Sequence, residues 1–129
     1  MMEVILSTMS PRAKAEISGV RRALDWAERT LELSDAEVGR ALGASPRSVA
    51  RWRDALHRPS DRHVQAAERL LELAHALNTV FGAETERLHN WLHEPLPALR
   101  GSTPHRTIIN GNLDDVLTIL GNIDSGAFA

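Results

Sequence analysis

Residues 33–53 read LSDAEVGRALGASPRSVARWR, a stretch that carries the start and stop signals of two short helices. Ser34 and Glu37 have the spacing of a capping box, in which each side chain binds the other residue's backbone amide. Gly43 suits a helix end because glycine tolerates a left-handed backbone. Ser45-Pro46 combines an N-cap residue with a proline at the first helical position. Two short helices joined by a turn that contains glycine predict a helix–turn–helix.

Helical periodicity continues on both sides of this stretch. Apolar residues recur at steps of three and four from Ile17 to Leu31, which places them on one helix face. Ser60 can cap a further, long helix with the same apolar periodicity, and Gly82 is expected to end that helix. Its predicted apolar stripe is Val64, Ala67, Leu70, Leu71, Ala74, Leu77 and Phe81. The aromatic side chains expected in the core are Trp26, Trp52, Phe81 and Trp91.

Three shorter helical patterns follow in the C-terminal part. One contains Trp91-Leu92, a second opens at Thr103-Pro104, and a third begins at Asn112, whose side chain can cap it. No segment alternates with the period of two that a strand requires. We therefore predict an all-α chain in which a long helix joins an N-terminal helix–turn–helix domain to a small C-terminal helical domain. The expected boundaries are 1–10 for a frayed arm, 11–62 for the helix–turn–helix domain, 63–83 for the connecting helix and 84–129 for the C-terminal domain with its tail.

Composition and charge narrow the range of functions. The chain has 129 residues and a net charge of −2, so it is not basic throughout. Residues 11–62 hold eleven Lys and Arg against eight Asp and Glu, whereas residues 63–129 hold four against eight. The absence of cysteine excludes a disulfide framework and thiolate chemistry. No secretory signal and no apolar run of about 20 residues is present, so we expect a cytoplasmic protein that does not enter a membrane.

The second helix of residues 33–53 carries side chains that suit a nucleic acid. Val49 and Trp52 have the spacing of buried residues, and arginines occupy positions between and beside them. The N-terminal part of such a helix reads base edges in the major groove, where arginine discriminates guanine by about 1–3 kcal/mol. A helical domain that binds only protein has the same spacing, so this alternative stays open. The predicted DNA contacts are Ser45, Arg47, Ser48, Arg51, Arg53 and Arg58, with Arg62 as a further phosphate contact.

Motifs of catalysis are missing from the sequence. There is no phosphate loop, no glycine-rich dinucleotide fingerprint and no Gly-x-Ser-x-Gly elbow. His89 and His93 have a spacing that can ligate zinc, but no third ligand is evident near them in the sequence. Asp114-Asp115 is better explained by the helix dipole than as a catalytic carboxylate pair. We therefore expect no catalytic residue, no metal, no cofactor and no enzymatic activity.

Both halves of the chain resemble the Xre/MbcA/ParS-type antitoxins of type II toxin–antitoxin systems. In the N-terminal half, the similar residues are Glu37-Val38-Gly39 and residues 45–52. In the C-terminal half, they are Trp91-Leu92, Leu99 with Gly101, Thr103-Pro104, Gly111, Val116 to Leu120, and Ile123 with Gly126. The resemblance covers roughly residues 18–129. It implies an antitoxin whose C-terminal domain binds a toxin.

The same resemblance implies a particular partner and mode of action. The usual partner is a RES-domain toxin, which consumes NAD or uses it to ADP-ribosylate a target, and the antitoxin's C-terminal helix and tail cover its active site. Carried over to this chain, the toxin-binding residues are Asn122, Asp124, Ser125, Gly126, Ala127, Phe128 and Ala129. A homodimer within a larger toxin–antitoxin complex would bind operator DNA and act as a transcriptional repressor of its own operon.

The sequence leaves two alternative functions open. One is a stand-alone helix–turn–helix transcriptional regulator with a C-terminal dimerisation or effector domain. The other is an antitoxin that has lost DNA binding and acts only through protein contacts.

Overall fold

The computed structural model describes residues 9–54 and 57–125. Over these ranges the chain forms seven α-helices, one short 3₁₀ helix and no strand, which confirms the all-α prediction. The α-helices are α1 Pro11–Thr30, α2 Asp35–Leu42, α3 Pro46–Arg53, α4 Asp61–Phe81, α5 Thr85–Leu92, α6 Pro104–Ile109 and α7 Leu113–Asp124, and the 3₁₀ helix is Pro97–Leu99. Of the predicted arm at 1–10, all but Met9 and Ser10 lies outside the described residues.

Helix starts coincide with the capping signals in the sequence. The Ser34 hydroxyl oxygen accepts the Glu37 N–H at 3.1 Å, and the Glu37 carboxylate accepts the Ser34 N–H at 3.0 Å. Ser60 and Thr103 also cap their helices, α4 and α6, since each hydroxyl oxygen accepts the backbone N–H three residues on. Each such cap contributes about 1 kcal/mol to stability. The predicted cap at Asn112 is wrong, since its backbone (φ −104°, ψ 39°) is not extended and its side chain makes no capping bond.

Two compact units make up the chain, Met1–Leu70 and Leu71–Ala129, and the boundary between them falls inside α4. In the first unit α1 packs against α2 and α3, which also pack against each other. The core of this unit includes Ile17, Val20 and Leu24 from α1, Val38 from α2 and Val49 from α3, all buried. The predicted face from Ile17 to Leu31 is therefore confirmed as the buried face of α1.

The apolar stripe of α4 differs in part from the predicted one. Leu73, which the prediction omitted, is buried, whereas Leu71 is half-buried. Leu71 lies about 100° around the helix from Leu70, so it stands at the edge of the buried face. Two further predicted members are also half-buried rather than buried, namely Val64 and Ala74.

In the second unit, α6 packs against both α5 and α7. The buried side chains of the second unit include Leu92, Ile108, Val116 and Leu120. The Phe81 and Trp91 rings meet with their centroids 5.5 Å apart.

Two of the four aromatic side chains expected in the core are buried there, Trp52 and Phe81. Trp26 and Trp91 are only half-buried, in keeping with the size of the indole ring. Within the described ranges, no helix has the length and apolar character needed to cross a bilayer.

Candidate functional site

The turn between α2 and α3 is closed by backbone contacts that only glycine permits. Gly43 lies in the left-handed region at φ +72°, as its place after α2 predicts. The Ala44 N–H donates to the Gly39 carbonyl at 2.7 Å. A Cβ on Gly39 would stand 2.6 Å from the Ala44 carbonyl oxygen. Gly39 therefore makes room for the turn itself, rather than for the side chains of the second helix.

The outward face of α3 presents two arginines. Val49 and Trp52 are buried and hold the opposite face of the helix against the core. Arg47 is exposed and Arg51 is half-buried. Among the residues that the structure describes, neither Arg47 nor Arg51 has a hydrogen bond or ion-pair partner. Both guanidinium groups are thus available to an external ligand.

Ser45 and Ser48 at the start of α3 are largely committed to the helix. The Ser45 hydroxyl oxygen accepts the Ser48 N–H at 3.1 Å. The Ser45 hydroxyl group in turn donates to the Ser48 hydroxyl oxygen, also at 3.1 Å. Pro46 has no N–H to offer. The first turn therefore has few donors left for a phosphate, and its direct role in DNA binding stays a prediction.

Arg53, another predicted DNA contact, is surrounded by carboxylates of its own unit. Its Nε and Nη2 atoms both lie 3.0 Å from Asp35 Oδ1. Its Nη1 atom lies 3.4 Å from Glu28 Oε2 and 3.6 Å from Asp25 Oδ1. The side chain is only 25% exposed. Arg53 thus links the end of α3 to α1 and to the first residue of α2.

Arg58 is also paired within the first unit. Its Nε atom donates to Glu16 Oε2 at 2.9 Å, and Arg12 donates to the other oxygen of the same carboxylate at 3.2 Å. The hydrogen bond from Arg58 is the main reason that the pKa of Glu16 lies below its ordinary value. The same contact raises the pKa of Arg58. Its predicted contact with DNA would have to compete with Glu16.

His63 contributes to the turn in a way that the sequence analysis missed. Its Nε2 atom lies 3.3 Å from the Gly43 carbonyl oxygen, and its Nδ1 atom lies 2.9 Å from the Ser60 hydroxyl. A neutral imidazole with its proton on Nε2 satisfies both contacts. Its ring packs on Trp52 with centroids 4.9 Å apart, and Arg62 also donates to the Gly43 carbonyl at 3.3 Å. The two contacts to Gly43 join residues 19 and 20 positions apart, so no local motif marks them.

In the second unit, the predicted toxin-binding residues gather at the end of α7. Asn122 is half-buried, and Asp124 and Ser125 are exposed. The remaining four predicted residues, Gly126 to Ala129, lie outside the described part of the chain. Asn122 also lines an open polar groove of about 560 Å³ between the 3₁₀ helix, α6 and α7. Asp115 and Asn112 are among the other residues that line this groove.

Three histidines lie side by side on the second unit. The His89 and His93 rings are 4.5 Å apart between centroids, and His105 stacks 4.7 Å from His93. The structure thus brings a third imidazole close, which the spacing in the sequence did not indicate. Within residues 9–54 and 57–125, however, no group of three or more His, Asp or Glu side chains is arranged to hold a metal ion.

Comparison with known proteins places the second unit in a family. Residues 76–126 match the model of the antitoxin Xre/MbcA/ParS C-terminal toxin-binding domain. The chain is also similar to a chain in the crystal structure of the M. tuberculosis MbcT–MbcA toxin–antitoxin complex. That match has 28% sequence identity and a TM-score of 0.58, and it covers 84% of this chain and 96% of that one. No curated protein matches the chain.

These matches agree with the residues on which the resemblance was first based. Trp91-Leu92 ends α5 and Thr103-Pro104 starts α6, both inside the matched range. Within residues 116–120, Val116, Ile119 and Leu120 lie on the buried face of α7. The resemblance is thereby confirmed: residues 76–126 match the Xre/MbcA/ParS toxin-binding domain, and together with the structural match they support an antitoxin of the MbcA type.

Proposed function

We propose that this antitoxin neutralises a RES-domain toxin, which consumes NAD or uses it to ADP-ribosylate a target, by covering its active site with α7 and the C-terminal tail. We further propose that the helix–turn–helix binds operator DNA and represses the chain's own operon. The observation that carries the first part is the family match over residues 76–126. The second part is supported by the unpaired arginines on the outward face of α3.

The chemistry of the C-terminal segment suits a narrow nucleotide site. Asp124 is exposed at the end of α7, and the last turn of that helix carries no basic residue. The Asp124 carboxylate can meet the cationic groups that bind NAD phosphates in a toxin. Small residues at 125–127 allow close approach, and Phe128 supplies an aromatic anchor.

Co-expression tests the first part. We expect the full chain to rescue cells that produce the toxin from the neighbouring reading frame, and we expect rescue to be lost when Ser125–Ala129 is removed. The truncated chain still contains all of α7, so its thermal unfolding should match that of the full chain. Full rescue by a stably folded truncated chain would contradict coverage of the active site by the tail.

Operator binding is tested with the double variant Arg47→Ala/Arg51→Ala on duplex DNA from upstream of the chain's own gene. Because neither side chain has a partner among the described residues, we expect folding to be unchanged and affinity at fixed salt to fall. Arg22→Ala is a matched control, since Arg22 is exposed on α1, outside the helix–turn–helix. An unchanged operator affinity in the double variant would favour an antitoxin without DNA binding.

Dimer formation is part of this proposal. Two helix–turn–helix units read half-sites about 34 Å apart, one turn of DNA, so a single operator requires two copies of the chain. Light scattering of the complex with a two-half-site duplex should give two chains per duplex. A single chain bound at saturation would rule out this arrangement.

A further inference from the structure

Arg47 and Arg51 occupy one line along the outward face of α3. They are four residues apart, which places them about 40° apart around the helix and roughly 6 Å apart along its axis. Val49, which is fully buried, lies on the opposite side. Ala50, an exposed residue beside this line of arginines, is too small to keep a surface away from either of them.

The other arginines near α3 are placed differently. Arg53 is held by three carboxylates, and Arg58 is paired with Glu16. Arg62 lies outside α3 and donates to the Gly43 carbonyl. Of the arginines on α3, only Arg47 and Arg51 are therefore without a partner among the described residues. Whatever sequence the helix recognises must be read mainly by these two side chains.

We propose, on the basis of the operator binding inferred above, that Arg47 and Arg51 each recognise one guanine in an operator half-site. The two guanines belong to base pairs that are adjacent or separated by one base pair. Arginine donates two parallel hydrogen bonds to O6 and N7 of guanine in the major groove, a pattern that no other base offers. The base-pair spacing follows from the helix, because roughly 6 Å along its axis spans about two base-pair steps of 3.4 Å.

Guanine is favoured over phosphate as the target because of where the two arginines stand. Side chains on the outer face of a recognition helix enter the groove, while phosphates lie at its edges. The side chains nearer the flanks of α3 would face those edges. Of these, Arg53 is already neutralised by carboxylates, so it is poorly suited to a phosphate.

Selection from a random-sequence duplex library with the full-length chain is the first experiment. We expect each enriched half-site to contain two guanines in base pairs no more than two steps apart. In the second experiment, each guanine of the enriched duplex is replaced by 7-deazaguanine, which pairs normally with cytosine but lacks the N7 acceptor. Each replacement should weaken binding at least fivefold, because it removes one of the two hydrogen bonds of a bidentate contact.

Conservative variants assign the guanines to their arginines. Arg47→Lys and Arg51→Lys keep the charge but lose the planar fork, so each should weaken the 7-deazaguanine effect at one position and preserve it at the other. Arg22→Lys on α1 is the matched control and should leave both effects intact. Binding of a random duplex should change less than twofold in all three variants, since their charge is the same.

Different results separate this inference from the function on which it rests. Enriched duplexes that bind tightly but lack the guanine pair, or tolerate 7-deazaguanine at both positions, would overturn the guanine assignment and leave operator binding intact. The assignment would also be wrong if the two lysine variants weakened neither effect. A library without any enrichment, together with no binding of the upstream duplex, would overturn operator binding itself.

Discussion

Replacement of Gly39 by alanine tests how tightly the helix–turn–helix is closed. The added Cβ would lie 2.6 Å from the Ala44 carbonyl oxygen and 3.5 Å from the carbonyl carbons of Ala44 and Ser45. These atoms belong to the backbone, so no side chain can rotate away. The turn must shift, and that shift also strains the 2.7 Å hydrogen bond from the Ala44 N–H to the Gly39 carbonyl.

Two opposing free-energy terms decide the outcome. Alanine in a helix is favoured over glycine by about 1 kcal/mol. Overpacking costs about 1–3 kcal/mol, and the weakened hydrogen bond adds about 0.5–1.5 kcal/mol. We therefore expect Gly39→Ala to lower the free energy of unfolding by about 1–3 kcal/mol. For a unit of this size, each 1 kcal/mol lowers the Tm by about 4–8 °C.

Gly19→Ala is the matched control for this substitution. Gly19 also lies inside a helix, α1, but a Cβ there would meet no atom within 4 Å. Only the difference in helix propensity remains, so the free energy of unfolding of this variant should rise by about 0.5–1 kcal/mol. The stability of both variants is measured by thermal unfolding, monitored by circular dichroism. The steric reasoning would be refuted if Gly39→Ala were as stable as the original chain, or if both variants shifted the Tm in the same direction.

Two further predictions concern the ion pairs of the first unit. Arg53→Met should lower the free energy of unfolding by about 1 kcal/mol in low salt, and less in high salt, whereas Arg51→Met should change it by less than about 0.5 kcal/mol. Equal stability of these two variants in chemical denaturation would contradict the structural role of Arg53. Because Arg58 lowers the pKa of Glu16 in the folded state, the Glu16 carboxylate stabilises the fold above its ordinary pKa of 4.5, and this stabilisation is lost as the pH falls through the lowered value. Glu16→Gln should therefore be less stable than the original chain at neutral pH and lose less stability on acidification; parallel stability curves against pH would show that the pair contributes nothing.

Local signals account for what the sequence predicted correctly. The capping box of Ser34 and Glu37 and the Ser45-Pro46 start need only neighbours within a few positions, so they can be recognised without a fold. The same holds for Gly43, whose left-handed backbone follows from its place after a helix. Asn112 shows the limit of such reasoning, because a suitable residue type does not ensure the extended backbone that a cap needs.

Contacts between distant residues account for most of what the sequence did not reveal. Four arginines look alike in the sequence and were all predicted to contact DNA, namely Arg47, Arg51, Arg53 and Arg58. Their roles separate only once folding brings Asp25 and Glu28 of α1 to Arg53, and Glu16 to Arg58. The choice of partner depends on how α1 crosses α3, which periodicity alone does not specify.

The internal pairing of Arg53 and Arg58 has a consequence for how the protein would search a genome. Each uncompensated charge that meets a phosphate contributes about −0.9 to the slope of log affinity against log salt. With two charges fewer, affinity for random DNA would vary about tenfold less between 50 and 200 mM salt. The chain would spend less time on unrelated sequences than one with both arginines free, and a larger share of its affinity for DNA would come from the bases it recognises. More of the antitoxin would then remain free to bind a toxin instead of being adsorbed along the chromosome.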